Sequence, residues 1–205
     1  MASPDSREEI LDSLPVEVSL LRRLESLKEL ERQNPLGCSP RKERVAEHSW
    51  HIGIGVVLLA QYCPTDVDIS RAVLLATVHD VVEAFVGDTF AFGNDVAGQQ
   101  SREESAVAEI CSKFPGPGAT LLAGLWEEYE SQSTPEARFV KGIDAFLPIL
   151  LNFVNPENSS WREHSVSASK VTKRLERVAT SLGPLADLNR RMISQAVAEG
   201  HLADG

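Results

Sequence analysis

Residues 76–88, ATVHDVVEAFVGD, set His79, Asp80, Glu83 and Asp88 in a stretch whose other side chains are almost all apolar or small. An unpaired charge loses more on leaving water than a single helix can return, so buried ionisable groups are neutralised, paired or bound to a metal. The chain must therefore fold so that other segments bring partners to this one. No other feature of the sequence limits the possible folds as strongly.

The surrounding pattern is helical. Leu20, Leu21, Leu24, Leu27 and Leu30 recur at helix spacing over 18–33. NPLGCSPRKE, 34–43, interrupts with two prolines and a glycine. A second helix is expected over 45–62, stopped by Pro64. TDVDIS then offers Asp or Ser caps to a third, which carries the ionisable run and ends near Gly87. Residues 89–98 read as a loop, 99–114 and 119–132 as helices parted by PGPG, and 133–154 as a sixth helix. In the sixth, Ser133 or Thr134 is the expected N-cap and Pro135 the first helical residue. Residues 160–200 read as two more helices divided near SLGPL, and no run alternates as a strand would. The expected class is all-α, a compact bundle: a flexible segment over 1–15, then one domain over 16–205.

A formal net charge of −10 argues against a nucleic-acid surface, which needs clustered Lys and Arg, but leaves a small phosphorylated substrate open. The longest strongly apolar run, IGIGVVLLA, falls well short of the roughly 20 residues a membrane span requires. The acidic N-terminus is unlike a secretory leader, and Cys38, Cys63 and Cys111 show neither an even count nor a CxxC spacing. A cytoplasmic protein is expected.

Two further segments carry partners for the central run. His48 lies in RVAEHSWH and Asp144 in VKGIDAF. With His79 and Asp80 they make two imidazoles and two carboxylates, the donor types a divalent ion takes; six-coordination would leave room for water and a substrate oxygen. Adjacent helical residues point about 100° apart, so His79 and Asp80 can reach one ion lying between them. Glu83 shares their face and suits a general acid or base; Asp88, just past Gly87, suits positioning water or protonating a leaving group. Spacing alone leaves a structural role for each of these residues open.

ERVAEHSWH, LLATVHDVVEAFVGD and EARFVKGIDAFLPILLN together resemble the HD-domain metal-dependent phosphohydrolases, and among them the small 5′-deoxynucleotidase-like branch. The resemblance runs from about residue 20 to residue 170. It implies an all-α HD-domain bundle, hydrolysis of nucleoside 5′-monophosphates to nucleoside and phosphate, and a homodimer. It also implies one divalent ion (Mn, Co, Mg, Ni, Fe or Zn) on His48, His79, Asp80 and Asp144, with Glu83 and Asp88 as acid and base. Binuclear HD enzymes place extra histidines between the second and third motifs, and this chain has none between Asp80 and Asp144.

One departure bears on substrate. The bacterial deoxynucleotidases carry Arg-Trp before Pro-Leu, the Arg on phosphate and the Trp against a 2′-hydroxyl. Ungapped alignment back from His48 puts Gln33 and Asn34 there, before Pro35 and Leu36. Neither supplies a guanidinium fork or a hydrophobic gate. Asn34 suits a hydroxyl, which points to a ribo- or sugar-modified nucleotide from a salvage or natural-product pathway as the alternative substrate. Arg41 and Arg44 are candidates to replace the missing charge. His51, one turn past His48, is a candidate to hold substrate or brace a ligand, and Trp161 with His164 in SSWREHSVS to line the pocket. An HD-type iron oxygenase and a non-catalytic nucleotide binder are the remaining alternatives.

Overall fold

The computed structural model describes residues 6–93 and 98–204. The first five residues of the segment expected to be flexible, and 94–97 of the expected loop, lie outside the described residues. Helix α1 (Arg7–Asp12) buries no side chain, and α2 (Val16–Leu24) continues into a 3-10 turn over Glu25–Lys28. Leu20 and Leu27 of the leucine stripe are buried, so the helical spacing up to that point is real.

From there the structure departs from the sequence reading. Residues expected to finish the first helix and then break instead form an antiparallel hairpin, β1 (Glu31–Leu36) and β2 (Ser39–Arg44). Its register shifts between Glu31 and Pro35. A bulge of this kind destroys the period-two alternation that would have announced a strand. Apart from this small hairpin the fold is helical, as the expected class requires.

Helix α3 (Val45–Leu59) begins where the Glu47 carboxylate accepts the Arg44 backbone N–H at 2.9 Å. Helix α4 (Ile69–Val78) begins at Asp68, whose carboxylate accepts the N–H groups of Ser70 (2.8 Å) and Arg71 (3.1 Å). The third helix is not continuous as expected. It ends at Val78, turns through hydrogen bonds from Val81 to Val78 and from Glu83 to Asp80, and resumes as α5 (Glu83–Val86). Gly87, at φ +81°, stops it.

Helices α6 (Gln99–Lys113) and α7 (Pro117–Ser131) lead to α8 (Pro135–Val154), the central element. Thr134 caps α8 by accepting the Ala137 N–H at 3.2 Å, and Phe139, Val140 and Ile143 are fully buried along it. The tail makes four helices rather than two: α9 (Ser160–Glu163), α10 (Ala168–Glu176), α11 (Ala179–Leu182) and α12 (Pro184–Ala198). Left-handed backbone at Ser165 and positive φ at Gly183 supply two of the breaks.

The close approach of α3 to α8 is at Gly55. A Cβ built on Gly55 would lie 2.9 Å from Ile143 Cγ2, so only a glycine admits this approach. His48, Ile52 and Gly55 share one face of α3 at helical spacing, and Asp144 follows Ile143 on α8. The packing that seats Gly55 on Ile143 thereby sets His48 beside Asp144.

Candidate metal and phosphate site

His48 is completely buried. Its Nε2 lies 3.0 Å from Asp144 Oδ1 and 3.9 Å from Asp80 Oδ2. His79 caps α4, and its Nδ1 lies 2.9 Å from the Ala76 carbonyl, so Nδ1 carries the proton and donates it there. That leaves the Nε2 lone pair 3.0 Å from Asp80 Oδ2, and this buried atom has no hydrogen bond. In the neutral ring these two electron-rich atoms suit a shared cation. Ligand atoms of His48, His79 and Asp80 all fall within 4.8 Å of one another, and Asp144 joins them through His48. The donor set and the unpaired nitrogen both fit a divalent ion of borderline or hard character.

Asp80 belongs to the turn after α4 rather than to mid-helix. The turn does what the continuous helix was expected to do: His79 and Asp80 still converge, and Glu83 follows on the same side.

The cation that the structure does place among these acids is Arg32. Its Nη1 donates to Asp80 Oδ2 at 3.0 Å and lies 3.2 Å from Asp88 Oδ1 and 3.9 Å from Glu83 Oε1. Glu43 on β2 is also buried: its Oε2 stands 3.8 Å from Arg32 Nε and 3.2 Å from His48 Nδ1, the latter without hydrogen-bond alignment. The sequence reading missed both residues, Arg32 because it fell at the end of a leucine-patterned helix and Glu43 because it sat in an apparent break. The signal available was one more Arg beside the Gln33–Asn34 pair, reachable by allowing one inserted residue in the hairpin.

The titration of the group separates its members. Burial would raise Asp80, but with no metal bound the charged form of the neighbouring His79 ring and the Arg32 guanidinium outweigh it and hold its carboxyl below the usual range. Asp144 is also held well below it against burial, by the His48 hydrogen bond and Arg174. Glu83 goes the other way, raised well above its ordinary value by burial and the adjacent Asp80. Asp88 is raised too, by burial, with Arg32 opposing and Asp80 assisting. Arg32 keeps its proton: burial opposes the charge, but Asp80, Asp88 and Glu83 overcome it. Two carboxylates are thus kept ionised and two are tuned towards carrying protons, the division that ligands and acid–base groups require.

Burial and Arg32 also oppose charge on His48, yet the Asp144 hydrogen bond and Glu43 push it up to about 9 in the metal-free protein. The imidazole must be neutral to bind a metal. Metal binding near pH 7 is therefore expected to release about one proton from this ring, with affinity rising about tenfold per pH unit until pH approaches 9. Calorimetric titration of the metal-free protein in buffers of different ionisation enthalpy measures that proton; binding enthalpies independent of buffer would contradict it.

These groups open into a cavity of about 420 Å³. Gln33 and Asn34 line it, as do Trp161, Lys141, Arg174 and Arg177. Asn34 is fixed by a buried network. The Ser160 backbone N–H donates to Asn152 Oδ1 (2.7 Å), so Asn152 Nδ2 donates to Asn34 Oδ1 (3.0 Å), and the Asn34 amide nitrogen is the end left for the cavity. Arg41 and Arg44 face elsewhere. Arg41 forks onto the exposed Glu47, and Arg44 binds the Glu29 carbonyl and Glu31. His51 stacks on the exposed Trp50 and stands 4.0 Å from Glu43, outside the cavity lining. His164 reaches the cavity wall indirectly, through Gln33 Oε1 at 3.1 Å and the Phe90 ring at 4.5 Å.

The HD domain family model matches residues 24–183. A crystal structure named as a predicted metal-dependent phosphohydrolase, from Magnetospirillum magnetotacticum MS-1, is 36% identical and superposes with a TM-score of 0.83, covering 92% of this chain and 94% of that one. The human protein 5′-deoxynucleotidase HDDC2 is 35% identical over 105 residues, 51% of this chain and 50% of its own length. Its Xenopus laevis counterpart is 32% identical over 131 residues, 62% of this chain and 64% of its own. The chain thus spans about half to two-thirds of the length of these curated relatives. Among the described residues, no helix is long and apolar enough to cross a membrane.

Proposed function

The chain belongs to the HD domain family, and on that premise we propose that it is a metal-dependent phosphohydrolase that cleaves nucleoside 5′-monophosphates to nucleoside and phosphate. One observation carries this reading: His48, His79 and Asp80 converge within 4.8 Å, and His79 and Asp80 line a cavity together with Glu83, Asp88 and Asp144. The relatives called 5′-deoxynucleotidases support the substrate class. The reading includes one domain over 16–205, a cytoplasmic homodimer, and small nucleotides rather than nucleic acid as partners.

In this proposal His48, His79, Asp80 and Asp144 hold one divalent ion. Such an ion supplies Lewis acidity, drawing charge from a phosphate oxygen and making water more acidic. Arg32 presents its guanidinium fork to the phosphate, replacing contacts it now makes to Asp80 and Asp88. Glu83 takes a proton from the attacking water as its oxygen bonds to phosphorus. Asp88 gives a proton to the 5′-oxygen as the P–O bond breaks, so charge and protons balance. Raised pKa values suit both residues to these transfers near neutral pH.

Phosphate release is expected from nucleoside 5′-monophosphates when Mn, Co, Mg, Ni, Fe or Zn is added in turn to the chelator-treated protein. No release from any pair of nucleotide and metal would remove the reading. A second reading, turnover of ribo- or sugar-modified nucleotides, is favoured by the fixed Asn34 amide, a donor suited to a sugar hydroxyl. Ribo-, deoxyribo- and sugar-modified monophosphates of one base in the same panel separate the two.

A further inference from the structure

We propose that Tyr129 is a positioning residue for the candidate ligand Asp144, its hydroxyl holding one carboxylate oxygen so that the other is the one turned to His48. This rests on the metal reading above.

Tyr129 comes from α7, which supplies none of the candidate ligands, and it is 2% exposed. Its hydroxyl donates to Asp144 Oδ2 at 3.0 Å, while Asp144 Oδ1 faces His48 Nε2 at 3.0 Å. The two carboxylate oxygens are thereby assigned to different tasks. A carboxylate free to turn can grip an ion through one oxygen or both; a phenol hydrogen bond on Oδ2 disfavours the second mode. Among the described residues the cation beside Oδ2 is Arg174, at 3.6 Å, too far for a hydrogen bond.

The same side chain also meets a second candidate ligand. Its ring stands edge-on to the His79 imidazole, with centroids 5.1 Å apart and planes at 61°. Lys141 Nζ lies 4.1 Å over the ring centre and pairs with Glu130 Oε1 at 2.9 Å. Lys141 and Asp144 are three residues apart on α8, so one helix face presents both the cation that covers the ring and the carboxylate that takes the hydroxyl. Tyr129 is clamped, and through it α7 braces His79 on one side and Asp144 on the other. Residues behind metal ligands that hydrogen-bond them in this way commonly change metal affinity by about 10–100-fold when removed.

Tyr129→Phe deletes one oxygen and keeps the ring. Cobalt binding, measured by competition with a chromophoric chelator, is expected to weaken by about 10–100-fold. The visible absorption bands of the bound cobalt are expected to change, because they report coordination and a purely structural role would leave them alone. Tyr129→Gln keeps a donor and loses the ring, and is expected to bind cobalt more tightly than Tyr129→Leu. Wild-type affinity and an unaltered cobalt spectrum in a folded Tyr129→Phe protein overturn the proposal. If the Phe variant fails to melt cooperatively, the Gln–Leu pair decides, and equal affinities overturn it. Absence of cobalt binding by the wild type is a different result, which rejects the metal reading itself.

Discussion

Asp80→Ala is expected to remove metal and activity together. Asp80 Oδ2 lies 3.0 Å from the unpaired Nε2 of His79 and 3.9 Å from His48 Nε2, so it is the shared corner of the candidate donor set. Without it the two imidazoles have only Asp144 to offset a dication. Metal retained after dialysis should fall to background by elemental analysis. Phosphate release should fall by on the order of 10³-fold or more, since Lewis acidity at phosphate contributes several kcal/mol. The fold should survive, because Arg32 still has Asp88 at 3.2 Å. Full turnover by a metal-free Asp80→Ala protein would sink the scheme.

Arg32→Met should have the largest effect on stability. The Arg32 side chain is 12% exposed, and its guanidinium lies within 4 Å of Asp80, Glu83, Asp88 and Glu43. Taking it away leaves that acid cluster without its cation, and breaking a buried pair from one side costs about 3–5 kcal/mol. For a chain of this length the melting temperature of the metal-free protein should fall by on the order of 10 °C. The pH dependence follows from the sign of the Asp80 shift. Its folded pKa is lowered against burial by His79 and Arg32, so its contribution is present above the unfolded value near 3.8 and is lost as pH falls through the folded value. Without Arg32 that shift relaxes upward. The deficit of the variant should be greatest at neutral pH and shrink below about pH 4, and added divalent ion should restore part of it. Thermal melts from pH 3 to 8, with and without metal, measure this; equal melting temperatures at pH 7 would refute it.

What was legible in the sequence, and what was not, divides along a physical line. His48, His79, Asp80 and Asp144 stood out because each is ionisable in an apolar helical context, where burial makes an isolated charge expensive. Asp68, Thr134 and Gly87 marked helix ends through local chemistry. Arg32 and Glu43 did not stand out, because a bulged hairpin has neither the helical nor the strand period, and their partners lie far along the chain. The Arg32–Asp80 contact spans 48 residues. Tyr129 is not legible from the sequence for the same reason: its significance lies in a hydroxyl meeting an oxygen on another helix. The break after Val78 was hidden because its apolar residues, Val81 and Val82, are as buried as those of the helix before it.

Gly55 has a consequence for how such a centre drifts over evolutionary time. Lineages are usually compared by their coordinating residues, and a centre with all four intact would be scored as unchanged. Here the spacing of two candidate ligands, His48 and Asp144, depends on a position that has no side chain and lies about two helical turns from His48 along α3. A single methyl acquired there would act like a shim between two beams, and would part His48 from Asp144 while every candidate ligand was still in place.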